Sequence, residues 1–143
     1  VNTLQQFVRS RGAQVVTIQD LASVYHAAGV LKEHGASGLL VVRDRQVVGI
    51  LTAGDIARRV VAEDCDAMTT RVREAMTENV VYGGGDLDLA EAADLADKHH
   101  VSHLPVLGPE GHLLGVVRRA DLPVAPRRAM GRPPFVQYQS TGG

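Results

Sequence analysis

Tryptophan is absent, and two Phe and three Tyr are the only aromatic residues among 143. A core must therefore come mainly from Val, Leu, Ala and Ile, as in small sheets covered by helices. Cys65 stands alone, which excludes an intrachain disulfide and fits a reducing compartment. Neither sign of charge prevails: 15 Lys and Arg face 16 Asp and Glu, for a net charge of −1. No global field then favours nucleic acid or an anionic membrane. No apolar run approaches the ~20 residues of a membrane helix. Val1 to Gln6 is polar and lacks a signal-peptide hydrophobic stretch. These absences point to a cytoplasmic chain with no membrane or nucleic-acid partner. What is present is ordinary for a globular protein: 45% hydrophobic and 22% charged residues, enough for one compact domain or two very small ones.

The chain is an internal repeat. His34-Gly35-Ala36-Ser37-Gly38-Leu39-Leu40-Val41 overlies His99-His100-Val101-Ser102-His103-Leu104-Pro105-Val106. The same register places Val15-Val16 on Val80-Val81 and Ala27-Ala28 on Ala92-Ala93. One inserted residue later, Gly49 to Ile56 falls on Gly115 to Leu122. The order of these matches along most of the chain argues against chance.

Each copy reads as β-α-β-β-α. Val15 to Ile18 and Val80 to Tyr82 are short β-branched or aromatic runs, hence strands. Leu21, Val24, Ala28 and Leu31 repeat at helical spacing, as do Leu89, Ala92, Ala93 and Ala96. Asp86 or Asp88 is placed to cap the second of these helices. Two hairpins follow. Leu39 to Val42 and Val47 to Leu51 flank a polar turn at Arg43-Asp44-Arg45. Leu104 to Leu107 and Leu113 to Val117 flank Gly108-Pro109-Glu110-Gly111, a strong turn signal. Asp55 opens a further helix with Ile56 and Val60 on one face. In the second copy Pro123 and Pro126 leave that helix little room. A unit this small buries too little surface to be stable alone, so two units packed sheet to sheet are expected, related by approximate two-fold symmetry. Ala62 to Arg73 reads as a polar linker running into a helical stretch near Val72 to Met76. Gly83-Gly84-Gly85 reads as a flexible turn and Val124 to Gly143 as an irregular tail.

Three segments carry a family resemblance. Val101-Ser102-His103-Leu104-Pro105-Val106 resembles the second-strand motif of CBS domains, the cystathionine-β-synthase-type module. Gly49-Ile50-Leu51-Thr52-Ala53-Gly54-Asp55 resembles its Gly-apolar-apolar-Thr-x-x-Asp motif. Arg73-Glu74-Ala75-Met76-Thr77 resembles the lead-in to a second copy. The likeness spans roughly Val8 to Pro123 and implies a tandem pair, an α/β (α+β) fold with one domain over 8–63, a second over 72–123 and a tail over 124–143. It further implies a regulatory module, not an enzyme, that binds AMP, ADP, ATP or a related adenosyl ligand such as S-adenosylmethionine. A homodimer acting on a protein target in trans is expected with it.

By the resemblance, each cleft joins the Thr-x-x-Asp end of one copy to the first two strands of the other. The first cleft then takes Thr52, Asp55, Val81, Tyr82, Val101, Ser102, His103, Leu104 and Pro105. The Asp55 carboxylate matches two vicinal ribose hydroxyls, and Thr52 offers a hydroxyl to ribose or phosphate. A preferred helix cap is the plainer role for Asp55, and both are compatible. Asp55→Ala is expected to weaken ligand binding and leave the fold intact. His103 can reach a phosphate or be a hydrogen-bonded strand residue. The second cleft takes Val16, Thr17, Ala36, Ser37, Gly38, Leu39, Arg118 and Asp121. There Arg118 replaces the hydroxyl residue, and either contacts a phosphate or fills the cleft.

Rival chemistries have less support. His99, His100 and His103 form a possible metal cluster, but the helix ends near His99 and the spacing loses its meaning. Cys65 lies among Glu63, Asp64 and Asp66, where carboxylates raise a thiol pKa, against nucleophilic use. The glycine run lacks the Lys and Ser/Thr of a phosphate loop. Arg127, Arg128 and Arg132 form a small tail cluster without aromatic interleaving, better read as solvated than as a nucleic-acid site. A structural or partner-binding dimer with degenerate clefts is the remaining alternative.

Overall fold

The computed structural model describes residues 3–11 and 15–123. The tail and its arginine cluster lie outside them. The order is α1 (Leu4–Arg11), β1 (Thr17–Gln19), α2 (Val24–His34), β2 (Gly38–Arg43), β3 (Gln46–Thr52) and α3 (Ala53–Ile56), which widens into a π-helical turn (Ala57–Val61). Then come α4 (Val72–Ala75), β4 (Gly83–Gly84), α5 (Leu89–Lys98), β5 (His103–Leu107), β6 (Leu113–Arg118) and a 3-10 turn (Arg119–Asp121). The sheets are β1-β2-β3 and β4-β5-β6, each with a parallel first pair and an antiparallel second. The repeat is thus a repeat of folds, β-α-β-β-α with the last helix of the second unit reduced to one turn.

Local chemistry sets the boundaries. Ser23 caps α2 by accepting the His26 N–H at 3.0 Å, and Gly35 closes it in the left-handed conformation. The helix therefore starts after Leu21, and its buried face is Val24, Ala27 and Leu31. Leu21 and Ala28, expected on that face, are exposed instead. Asp88 caps α5 in a capping box with Glu91. The β2–β3 hairpin turns on Asp44 and Arg45, both with positive φ (51° and 66°), as a two-residue turn matched to strand twist requires.

The first strand of the second unit lies at Gly83–Gly84, not at Val80 to Tyr82 as expected, and the glycine run is no loose turn. Ile18 pairs with Val41, and its repeat counterpart Gly83 pairs with Val106. A β-carbon at Gly83 would lie 2.8 Å from Leu104 Cδ2 and 2.9 Å from Leu4 Cδ1. Leu4, from α1, thus occupies the place that the Ile18 side chain fills in the first unit.

Each unit is completed by the helix that precedes the other. Leu4 and Gln5 donate backbone N–H groups to Leu87 and Gly85, while Val72 and Arg73 donate to Ala22 and Asp20. The acceptors are repeat equivalents. Val72, Ala75 and Met76 join the core of the first unit with Ile18, Leu39 and Leu51. Leu4 and Val8 join that of the second with Ala92, Ala93, Leu104 and Val106.

Candidate functional site

The β3–α3 junction is built by a reciprocal cap. The Thr52 hydroxyl accepts the Asp55 N–H at 3.1 Å, and Asp55 Oδ2 accepts the Thr52 N–H at 2.9 Å. Thr52 is therefore the cap, and Asp55, 3% exposed, is the residue that reaches back. This leaves Oδ1 for the cleft side. It accepts long bonds of 3.4 Å from Arg58 and from the Thr77 hydroxyl, with Arg59 Nη1 at 3.9 Å. Arg59 Nη1 donates to the carbonyls of Ala75 and Met76 at 2.9 and 2.7 Å.

From the other unit, β5 brings His103 to the same place. Its Nε2 lies 2.7 Å from Ser37 Oγ and its Nδ1 2.8 Å from Ser102 Oγ. Ser37 and Ser102 are repeat equivalents, so one imidazole spans matching hydroxyls of the two units. Burial, helped by the Arg118 charge, pushes the His103 pKa down, against weaker opposite pulls from Asp55 and Asp121. The neutral ring donates one hydrogen bond and accepts the other.

A cavity of about 420 Å³ lies between the units at this point, within the usual range for small-molecule sites. Thr52, Asp55, Val81, Val101, Ser102 and His103 line it, six of the nine residues expected in the first cleft. Tyr82, Leu104 and Pro105 do not. Leu104 packs into the second core, Pro105 is fully buried, and partial burial raises the Tyr82 phenol pKa. Eight further residues complete the lining: Ile50, Arg58, Arg59, Thr77, Asn79, Val80, His99 and His100. The two arginines were legible in principle, since they follow Asp55 by three and four residues on one helical face.

The second set of residues does not gather in the same way. Arg118 Nε and Nη2 hold both oxygens of Asp121 at 2.9 Å, and that contact keeps the Asp121 carboxyl below the usual range. Ser37 and Arg118 share an open depression with His103. Val16, Thr17, Ala36, Gly38 and Leu39 are not part of its wall. Leu39 lies in the first core, and the His103 ring covers Gly38, where an added β-carbon would approach it to 2.8 Å.

Among the described residues no group of three or more His, Cys, Asp or Glu side chains is arranged to hold a metal ion. His103 of the His99, His100 and His103 cluster instead lies between the Ser37 and Ser102 hydroxyls. No helix among the described residues is long and apolar enough to cross a membrane.

The sequence profile of the CBS domain matches twice, at residues 9–62 and 72–123. The CBS domain-containing protein YhcV of Bacillus subtilis is 32% identical over 78% of this chain and 78% of its own length. A structure of a protein with CBS domains from Burkholderia ambifaria superposes with a TM-score of 0.77 at 34% identity, covering 83% of this chain and 89% of that one. The inosine-5'-monophosphate dehydrogenase of Korarchaeum cryptofilum is 32% identical over 82% of this chain, yet the match spans only 25% of that enzyme. The likeness is to the enzyme's CBS region, and proteins made of CBS domains alone are in general regulatory and non-catalytic. The chain belongs to the CBS domain family, as a tandem pair of the kind that serves as a regulatory ligand-binding module.

Proposed function

We propose that this module binds an adenosine nucleotide in the cleft between Asp55 and His103 and passes its occupancy to a protein target. The observation that carries the reading is the cavity itself. It joins the Thr52–Asp55 end of one unit to Val81, Val101, Ser102 and His103 of the other. Apolar strand edges suit a purine face. Asp55 Oδ1 suits a ribose hydroxyl, which would replace its long contacts to Arg58 and Thr77 with a shorter one. A ligand there touches both units and favours the arrangement in which both sets of contacts are made. Leu21, Tyr25, Val61 and Met68 stay exposed on the first unit, which supports a homodimer. The chemistry invokes no metal, cofactor or catalytic step, and a cytoplasmic place goes with it.

The test is a thermal-shift titration with AMP, ADP, ATP, S-adenosylmethionine and NAD, with zinc as a control. A ligand that binds only the folded chain raises its melting temperature with concentration. Asp55→Asn should abolish the shift. It is the better variant, because Asp55→Ala also removes the capping box, at about 1 kcal/mol. No shift with any adenosine compound would leave a structural or partner-binding dimer as the reading.

A further inference from the structure

The two units differ at a pair of equivalent positions that face each other across their hairpins. In the first unit Gly38 pairs with Thr52; in the second His103 pairs with Arg118. Small residues in one unit thus correspond to large ones in the other. The His103 ring leaves its own unit, covers Gly38 and lies 2.7 Å from the Ser37 hydroxyl. By the same symmetry a side chain at Gly38 would reach toward Thr52 and Ser102, into the open cavity that these two line. The acids differ likewise. Asp55 commits Oδ2 to the Thr52 N–H and leaves Oδ1 on contacts of 3.4 Å. Asp121 has both oxygens held at 2.9 Å, by Nε and Nη2 of Arg118. Two parallel donors on one carboxylate are the pattern that two vicinal hydroxyls would make. The flat, nitrogen-bearing imidazole lies beside this contact on the same hairpin. A plainer role for His103 is to hold the two units together. That role alone predicts a loss of stability without the ring, and no new site.

We infer that His103 and Arg118 act as a built-in ligand of the second cleft, so that the chain takes one nucleotide where two equivalent clefts would take two. This rests on the nucleotide reading given above. Arg118 stands in for the ribose, and the His103 ring for part of the base. The Arg118 side chain is 54% exposed, so its ion pair alone is a weak lock. The ring, held on both nitrogens by Ser37 and Ser102, is the stronger one. What remains on this side is the open depression lined by Ser37, His103 and Arg118. The first cleft stays open because Gly38 and Thr52 send nothing of that size into it.

The experiment is calorimetric titration, with AMP and with ATP, of the wild-type chain and of the double variant His103→Gly, Arg118→Thr. That variant gives the second unit the small residues of the first. The wild type should bind one nucleotide per chain and the double variant two. Adding Asp121→Asn to the double variant should return the count to one. The count is the readout, since His103 also lines the first cleft and affinity there is free to change. Two nucleotides per wild-type chain, a folded double variant that binds no more than the wild type, or a second site that survives Asp121→Asn overturns the inference. If the double variant does not fold, Arg118→Thr alone takes its place. It frees Asp121 and should add a weaker second site, and no added binding then overturns the inference. A double variant that binds one nucleotide, lost with Asp121→Asn, beside a wild type that binds none, upholds the built-in ligand and sinks the nucleotide reading of the first cleft. Binding to neither protein sinks both.

Discussion

Leu4 and Gly83 offer a direct test of how the units complete each other. Leu4 is fully buried in the second core, so Leu4→Ala should cost about 2–5 kcal/mol through lost transfer energy and the cavity left behind. Gly83→Ala places a methyl group 2.8 Å from Leu104 Cδ2 and 2.9 Å from Leu4 Cδ1, so overpacking should cost about 1–3 kcal/mol. If Leu4 stands in for the missing Gly83 side chain, the two changes compensate. The alanine at 83 then fills part of the Leu4 cavity, and one of its two clashes is gone. The double variant should be more stable than the sum of the singles by about 1 kcal/mol, within the usual range for touching residues. Urea denaturation followed by circular dichroism reads this. With a slope of about 2 kcal/mol per molar urea, 1 kcal/mol moves the midpoint by about 0.5 M. A double variant at or below the additive value would refute the stand-in.

Two further outcomes follow from the geometry. His103 has a folded-state pKa below its ordinary 6.5, so the unfolded chain binds the extra proton first as pH falls. Stability should be full above pH ~6.5 and decline as acidification passes from there through the lower folded-state value. Melting curves should show that decline, and His103→Gln should flatten it; an unchanged slope in the variant would assign the effect elsewhere. The homodimer is checked by sedimentation, where the chain should run at twice its 15.3 kDa. Val61→Glu, at a side chain that is 71% exposed, should shift it toward the monomer, and a monomeric wild type would end that reading.

The repeat was legible because its hairpins are nearly continuous apolar runs of the right length, bounded by turn residues. Strand β4 was not, because its sheet pairing is made by glycines that carry no side-chain signal, while the β-branched run just before them, Val80 to Tyr82, looks more like a strand. A side chain at residue 83 would meet Leu4, 79 positions away, and no local pattern shows that. On α2, Val24 and Leu31 lie on the buried face as their spacing predicts, while Ala27 takes the place of Ala28 and Leu21 lies before the Ser23 cap. In the site, Thr52, Asp55 and the Val101–His103 segment were readable as motif residues. Leu104 and Pro105 were carried along with that segment, but alternation along a strand sends Leu104 into the core. Arg58 and Arg59 were legible only through their spacing from Asp55 on one helical face, and only the packing of one unit on the other brings His100 to them.

The pairing of Gly38 with His103 has a consequence for assembly. The first unit supplies an empty place at this position and the second supplies the ring that fills it. Two first units set face to face would leave a void where the ring belongs, with Ser37 hydroxyls lacking their partner. Two second units would drive ring against ring. Like-with-like pairing is thus disfavoured on both sides. At this contact the duplicated halves have become complements, the ring of one filling the space left by the other.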